Sequence, residues 1–311
     1  MKNQNLLGHL LALITVFIWG ITFISTKILL TELTPVEILF YRFIIAYIVL
    51  FLIYPKIQKS IKLREELLFF GLGVTGVTFY FLFENIALQF SLASNVSLLI
   101  SAAPILTAIV AHFTVGDEKL SPRLIEGFIV AMAGIALVVF NGKLVLQLNP
   151  VGDMLAILAA LVWAIYSVLL KKIGPDWHPV YVVRKTFFYG LLTTVPWLFW
   201  FKDDLKVGHH LGFPVVFNVL FLGLIASALC YVMWNQSVKR IGVVKSGNYI
   251  YLVPLVTMIA SVLVLKEKVN GWMILGGLLI FCGVYIAERG IGLERYFKKS
   301  SKTEQVPLSG K

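Results

Sequence analysis

Charge is scarce in this sequence. Charged residues fill 14% of its 311 positions, whereas hydrophobic residues fill 59%. A chain of this composition lacks the polar side chains that a water-soluble surface needs, so a soluble globular protein is excluded. The net charge of +11 comes from basic residues that lie between apolar segments rather than on one soluble face, so we expect no nucleic acid partner. The composition predicts an integral membrane protein.

Cysteine and metal-ligating patterns are scarce as well. The two cysteines, Cys230 and Cys282, both lie in apolar segments, which excludes a disulfide framework. The five histidines form no metal-ligand spacing, and the sequence has neither a phosphate-binding P-loop nor an aspartate-rich motif for a metal–diphosphate substrate. We therefore expect no catalytic residues, no bound metal, no cofactor and no direct use of ATP.

Long apolar runs are abundant by contrast. Segments of about 17 to 25 residues, the length that a helix needs to cross the hydrocarbon core of a bilayer, follow one another along the chain. They cover approximately 6–30, 35–54, 67–89, 94–115, 124–140, 154–170, 180–201, 214–236, 246–265 and 271–288. The first is too long for a signal-peptide core and has no small-residue cleavage site, so we expect it to remain as a membrane helix. The predicted fold class is an all-α integral membrane protein with ten transmembrane helices.

The chain is also a tandem repeat, because the stretch 79–106 recurs as 229–256. The matched positions are Asn85 and Asn235, Pro104 and Pro254, Glu118 and Glu267, Gly127 and Gly276, and Gly134 and Gly283. The predicted units are a first repeat over 6–140, a link over 141–152, a second repeat over 153–290 and a basic cytoplasmic tail over 291–311. Since five helices per repeat is an odd number, the second repeat must lie inverted in the membrane relative to the first.

Lysines and arginines in the loops predict the orientation. If the N-terminus is cytoplasmic, eighteen of these residues lie on the inner side and six on the outer side. We therefore expect a protein of the cytoplasmic membrane with both termini in the cytoplasm. Lys27 ends the first helix outside, whereas its match Lys171 ends the sixth helix inside, as inverted repeats require. The basic tail is expected to contact anionic membrane lipid.

The two halves share a longer motif. The first half carries Trp19-Gly20, Lys27, Pro35 and Arg42, and the second carries Trp163-Ala164, Lys171, Pro179 and Arg184. Together with the matched asparagines, prolines, Glu-Lys turns and glycines, this motif resembles the EamA family of the drug/metabolite transporter superfamily over about residues 8 to 288. The resemblance implies a ten-helix secondary transporter, most often an exporter of amino acids or other small metabolites, with a cavity lined by the first, third, fourth, sixth, eighth and ninth helices. Two departures occur in the second half: Arg184 is displaced by two residues, and Trp234 takes the place of Glu84.

Polar and aromatic side chains at membrane depth are the candidate substrate-binding residues. They are Trp19, Tyr80, Glu84, Asn85, Ser97, Ser101, Trp163, Tyr231, Asn235, Asn248 and Tyr251. Aromatic walls suit apolar, aromatic or cationic solutes, and asparagine amides both donate and accept hydrogen bonds. Each candidate has an ordinary alternative, because serine hydroxyls bond back to their own helix, asparagines bond between helices and aromatic rings pack.

Pro104 and Pro254 predict helix breaks at matched places in the two halves. Paired interruptions of this kind mark the binding sites and hinges of transporters. The alternative is a tolerated kink that neighbouring helices support.

Glu84 is the carboxylate that lies clearly within a span, and Arg42 is its candidate ion-pair partner. An ionised carboxylate in low dielectric is costly unless a cation is near. Pairing with Arg42 would make the role of Glu84 structural. Without that pair, Glu84 is a candidate for coupling transport to protons or for binding a substrate amine, and the sequence leaves these roles open.

Taken together, these features predict a monomeric secondary transporter rather than an enzyme. It would export a small-molecule substrate, an amino acid or a related compound, by alternating access. An importer or facilitator of another metabolite, such as a nucleoside, has the same architecture and stays open. A lipid-linked transferase would cluster acids or histidines near one interface, which this sequence does not do, and a structural scaffold would not need matched polar interruptions.

Overall fold

The computed structural model describes residues 2–57, 62–115, 122–140, 150–173, 177–201 and 212–289. Three of the sequence-based expectations concern residues outside these ranges. They are the basic tail over 291–311, the part of the link over 141–149, and Glu118.

The described residues fold into α-helices. Helices α1 to α7 cover Lys2–Leu29, Pro35–Ile53, Leu63–Gly73, Tyr80–Phe90, Ala93–Ile100, Ala103–Val115 and Pro122–Phe140. Helices α8 to α14 cover Pro150–Lys172, Pro179–Trp200, Phe213–Leu220, Cys230–Ile241, Val243–Gly247, Val253–Ala260 and Gly271–Arg289. Wider π-helical turns join α3 to α4 at Val74–Phe79 and α10 to α11 at Phe221–Leu229, and another follows α13 at Ser261–Leu265. A tighter 3₁₀ turn, Asn248–Leu252, joins α12 to α13.

Seven helices among the described residues are long and apolar enough to cross a bilayer. They are Asn5–Leu29, Pro35–Ile53, Leu63–Phe90, Ala93–Thr114, Pro150–Lys172, Phe213–Ile241 and Lys245–Leu265. Shorter apolar stretches lie in α7 at Ile125–Gly134 and in α14 at Gly271–Gly283. On α1, Leu10, Ile14 and Phe17 are exposed at three- and four-residue steps, the pattern of a lipid-facing stripe. The described part of the chain is therefore an all-helical, multi-pass membrane protein.

Helix α1 defines the two ends of the bundle. Near its start, Gly8 packs so closely against α11 that an added Cβ would lie 2.7 Å from the side chain of Ile241. Near its end, Lys27 donates a hydrogen bond to the carbonyl oxygen of Leu88, in the last turn of α4. We call the end of the bundle where α1 begins proximal and the end where it finishes distal.

Helix α8 runs in the opposite direction to α1. Asp153 in its first turn lies at the distal end, where its carboxylate accepts a 2.9 Å hydrogen bond from the Ser91 hydroxyl. Lys171 in its last turn lies beside Lys239 of α11, around a pocket at the proximal end. The first described helices of the two sequence halves are therefore antiparallel.

Glycines bring α7 and α14 into direct backbone contact. A Cβ added to Gly134 would lie 2.6 Å from the carbonyl oxygen of Gly276, and one added to Gly283 would overlap the carbonyl oxygen of Gly127. Small residues allow this close approach between membrane helices. The glycines that match between the sequence halves therefore form one helix–helix interface.

Helix α2 begins at a capping box that fixes its entry into the bundle. The Glu37 backbone N–H donates to the Thr34 hydroxyl at 3.3 Å, and the Thr34 N–H donates to the Glu37 carboxylate at 2.8 Å. Pro35 occupies the first turn, where its missing N–H costs no hydrogen bond. From this start, Arg42 lies about two turns inside the helix.

Candidate functional site

A small cavity lies at the centre of the bundle. Its volume is about 40 Å³, which leaves room for about three water molecules. Pockets that hold small ligands usually enclose roughly 300 Å³ or more, so this cavity would have to widen to hold such a ligand. The lining residues are Trp19, Thr22, Phe23, Arg42, Tyr80, Phe81, Glu84, Ile100, Ala103, Trp163, Tyr231, Ile250 and Val253.

Aromatic rings from four helical segments form the wall of this cavity. Trp19 of α1 and Trp163 of α8 meet edge to face, with ring centroids 5.4 Å apart. Tyr80 lies 5.0 Å from Trp163, and Tyr231 lies 5.8 Å from Trp19. Trp234 packs against Trp19 at 5.1 Å. The Nε1 of Trp163 is buried without a hydrogen-bond partner in the described chain, so this ring has an unused donor.

Arg42 is buried in the same wall, with 1% of its surface exposed. Its Nε donates a 3.1 Å hydrogen bond to the hydroxyl of Ser227, in the π-helical turn before α11. Its guanidinium lies 4.2 Å from the centroid of the Phe81 ring. Among the described residues, no group bonds its Nη1. The Phe43 ring lies 5.2 Å away, so three contacts hold the guanidinium in place while Nη1 stays unpartnered.

Glu84 of α4 lines the cavity as well and is also 1% exposed. Tyr80, one turn earlier on the helix, lies beside its carboxyl group. Its Oε1 is buried and accepts no hydrogen bond from the described residues. Glu84 and Arg42 interact electrostatically, although within the described part of the chain they form no direct ion pair. The cavity therefore contains a cation and a carboxylate that each keep an unpartnered atom.

Several sequence candidates lie outside the cavity lining. Asn85 donates from Nδ2 to the carbonyl oxygen of Pro35 at 3.0 Å, which ties α4 to the start of α2. Ser97 and Ser101 donate to carbonyl oxygens three residues earlier in their own chain segment, at 2.9 and 2.6 Å. These contacts are the ordinary roles that polar residues have in membrane helices.

The remaining candidates lie on α11 and in the turn that follows α12. Asn235 lines the proximal pocket, one helical turn from Tyr231. Asn248 begins the 3₁₀ turn, and Tyr251 in that turn packs in a small apolar cluster with Ile105. None of these three lines the central cavity in the described chain.

Pro104 and Pro254 lie where an α-helix restarts after a break. Pro104 is the second residue of α6, after the turn that follows α5, and Pro254 is the second residue of α13, after the 3₁₀ turn. A proline in the first turn of a helix removes no intrahelical hydrogen bond. Ala103, which precedes Pro104, and Val253, which precedes Pro254, both line the cavity. Each helix break therefore borders the site.

Part of the lining was missed by sequence reasoning. Thr22 lies three residues after Trp19, and Phe81 lies three residues before Glu84, so helical spacing would have placed both on the cavity face. Ile250 carries no such signal, because an apolar side chain has the same pattern whether it faces lipid or a cavity.

A polar network connects several helix ends at the distal end of the bundle. Lys27 donates to the carbonyl oxygens of Leu88 and Ser91, the latter at 2.8 Å. Asp153 accepts hydrogen bonds from the Ser91 hydroxyl at 2.9 Å and from Asn95 Nδ2 at 2.8 Å. The network thereby joins the end of α1, the end of α4, the start of α5 and the start of α8.

Glu267 adds a further contact at the distal end. Its carboxylate accepts hydrogen bonds from the Ala93 N–H at 2.8 Å and from the Ser94 hydroxyl at 2.8 Å. A carboxylate is favoured at this position because the first N–H groups of a helix have no intrahelical acceptor. The segment after α13 is thereby fixed to the start of α5.

The proximal end contains a larger pocket of about 280 Å³ between α8, α9 and α11. Lys171, Trp177, Asn235 and Lys239 are among the residues that line it. Asn235 and the cavity residue Tyr231 are four positions apart on α11, a rise of about 6 Å. The pocket therefore lies about one helical turn from the central cavity.

Apolar spans around a central cavity lined by Arg42 and Glu84 define a multi-pass membrane protein with an internal site. The sequence profile of the EamA-like transporter family matches residues 6–140 and 150–288, and the chain belongs to this family. The family and the names of the relatives are those of transporters rather than enzymes.

The chain is similar to several curated proteins over almost its whole length. An uncharacterized transporter of Archaeoglobus fulgidus is 29% identical, over 91% of this chain and 98% of the relative. A probable amino-acid metabolite efflux pump of Escherichia coli is 26% identical, over 94% of this chain and 98% of the relative. One solved crystal structure superposes with a TM-score of 0.64 at 18% identity, over 90% of this chain and 96% of that chain, which supports the fold.

Proposed function

We propose that this protein is a secondary exporter of amino acids or closely related metabolites in the cytoplasmic membrane, and that it works by alternating access. The observation that carries the proposal is the contact of Trp19 with Trp163, at 5.4 Å, beside a cavity that contains Arg42 and Glu84. The two tryptophans occupy matched positions in the sequence halves, so the cavity lies where an axis that relates the halves would pass. Alternating-access transporters bind their solutes at such a place.

The proposed architecture is ten transmembrane helices in two inverted repeats, over 6–140 and 153–290, with a link over 141–152 and a basic cytoplasmic tail over 291–311. The opposite directions of α1 and α8 support the inversion. The glycine contact between α7 and α14 supports an equivalent role for the last helix of each half. We also propose that the protein is a monomer.

The two ends of the bundle suggest which step of the cycle this conformation represents. The proximal pocket carries Lys171 and Lys239, and the excess of basic loop residues predicts that this end faces the cytoplasm. The distal network of Lys27, Ser91 and Asp153 closes the opposite end. In the proposed cycle, a solute enters from the proximal pocket, and the distal contacts break to release it outside.

Two features support an amino acid as the exported solute. Relatives from Escherichia coli and Salmonella typhimurium, each 26% identical, are named probable amino-acid metabolite efflux pumps. The cavity also combines a guanidinium, a carboxylate and aromatic rings, which together match the charges and the apolar part of an amino acid.

Counterflow in proteoliposomes tests the proposal, with a panel of labelled amino acids and nucleosides. We expect exchange of amino acids, and faster loss of labelled amino acids from preloaded cells that carry the protein. Exchange of nucleosides alone would overturn the substrate class, and absence of exchange by monodisperse, reconstituted protein would overturn the transporter proposal for this panel.

A further inference from the structure

We propose that Arg42 and Glu84 form a clamp for the two charged ends of a zwitterionic α-amino acid, with Arg42 binding the carboxylate and Glu84 binding the ammonium group. This inference rests on the proposed function, since it identifies how the same central cavity would recognise its solute. It assigns opposite ends of one ligand to two residues that line a single cavity.

Two buried side chains with unsatisfied atoms carry the inference. Each of Arg42 and Glu84 is 1% exposed, and within the described chain neither Arg42 Nη1 nor Glu84 Oε1 has a hydrogen-bond partner. Leaving a buried charged group unsatisfied is costly. Both residues line one cavity, so a ligand in that cavity would lie next to both side chains.

The orientation of Arg42 suits a carboxylate. The Ser227 hydroxyl accepts from Nε at 3.1 Å, and Phe81 packs against the face of the guanidinium with 4.2 Å between centroid and Cζ. These contacts hold the plane of the guanidinium and leave Nη1 to donate a charge-assisted hydrogen bond to a carboxylate. Trp163 also lines this cavity, and its buried N–H has no partner in the described chain.

Glu84 suits an ammonium group for the complementary reason. An ionised carboxylate only accepts hydrogen bonds, whereas an ammonium group only donates them. Since Arg42 and Glu84 carry opposite charges and form no direct ion pair in the described chain, a zwitterion between them would satisfy both without adding net charge to the site. The rest of the lining is mainly apolar, which favours an amino acid with an apolar or aromatic side chain.

Competition in counterflow tests the clamp. Labelled leucine, methionine and phenylalanine are exchanged by reconstituted protein in the presence of three unlabelled competitors. These are the same amino acids, their amides, which lack the carboxylate, and the corresponding deaminated acids, which lack the ammonium group. For the wild type, we expect each modified competitor to be weaker than the amino acid by about tenfold or more, because each loses one charge-assisted contact.

Two variants separate the two ends of the ligand. In Arg42→Gln, we expect competition by the amino acids to weaken to about the level of the amides, whereas competition by the amides stays unchanged. In Glu84→Gln, we expect amino acids to weaken to about the level of the deaminated acids, whereas those acids keep their strength. The competitor that keeps its strength shows that each variant still folds around a working site. Arg42→Lys keeps the charge but loses the planar guanidinium, so we expect competition by amino acids to lie between that of the wild type and that of Arg42→Gln.

Three results would overturn the clamp while leaving the transporter in place. They are equal competition by amino acids, amides and deaminated acids in the wild type, equal weakening of all competitors in both variants, and exchange of nucleosides but not of amino acids. If the wild type exchanges no solute of the panel, the proposed function fails, and the clamp fails with it.

Discussion

Breaking the distal hydrogen bonds is expected to open the distal side of the protein. Asp153 accepts hydrogen bonds from Ser91 at 2.9 Å and from Asn95 at 2.8 Å, and Asp153→Ala removes both. Hydrogen bonds between membrane helices contribute about 0.6 kcal/mol on average and up to about 1.7 kcal/mol. The two bonds together therefore favour the distal-closed state by about 1.2 to 3.4 kcal/mol. Their loss would shift the ratio of distal-closed to distal-open molecules by about 8-fold to 300-fold.

Thiol accessibility measures this shift. Thr22 lines the central cavity and is 5% exposed, so a Thr22→Cys variant reports access to the site. The native cysteines, Cys230 and Cys282, are replaced by serine beforehand. A membrane-impermeant thiol reagent is then added to the distal face of sealed, oriented vesicles. Asp153→Ala should raise the rate at which this reagent modifies the Thr22→Cys thiol by about 8-fold to 300-fold, the range that the hydrogen-bond energies give.

A matched variant gives the expected intermediate effect. Ser91→Ala removes one of the two hydrogen bonds to Asp153 and keeps the one from Asn95, so it should raise the modification rate by roughly the square root of the Asp153→Ala factor. Identical rates in the parent and in Asp153→Ala would refute the assignment of this network as the distal closure.

Further variants test the packing, an interhelical bond and the cavity carboxylate. Gly134→Leu should lower the free energy of unfolding by about 1 to 3 kcal/mol, because the new Cβ would lie 2.6 Å from a carbonyl oxygen of α14. The control in the same thermal unfolding assay is Gly271→Leu, since a Cβ at Gly271 would meet no atom within 4 Å. Asn85→Ala removes the 3.0 Å hydrogen bond to the Pro35 carbonyl oxygen and should lower stability by about 0.6 kcal/mol. Substrate affinity in counterflow should stay the same, and a loss of affinity would place Asn85 in the site instead. If Glu84 also couples transport to protons, Glu84→Gln should remove the pH dependence of exchange, and an unaltered pH profile would exclude that role.

The sequence predicts the class of fold through composition and the site through its matched tryptophans. Low charge and long apolar runs require helices in a bilayer, because every backbone polar group must be satisfied within the membrane. Trp19 and Trp163 stand out since tryptophan usually anchors at the membrane interface, whereas these two lie deep in their helices and match between the halves. They lie 5.4 Å apart beside the cavity.

Hydrogen-bond partners are the part that the sequence does not reveal. The hydroxyls of Ser97 and Ser101 form a polar stripe in the sequence, yet both bond to carbonyl oxygens of their own chain segment, which are always within reach of a helical serine. The acceptors of Lys27 are the backbone carbonyl oxygens of Leu88 and Ser91. Because every residue has a backbone carbonyl, the residue types do not identify these acceptors. The distal hydrogen-bond network is therefore visible only in three dimensions.

If the cavity beside Trp19 and Trp163 binds the transported solute, loss of one of these rings must impair transport. The most direct measurement is counterflow of labelled leucine, methionine and phenylalanine by Trp163→Ala and by Trp200→Ala, since Trp200 is 80% exposed at the end of α9 and serves as the matched control. We expect exchange to be about tenfold slower or lost in Trp163→Ala, because the cavity loses one aromatic wall, and to be unchanged in Trp200→Ala. Equal exchange by the two variants, at equal amounts of folded protein, would contradict it.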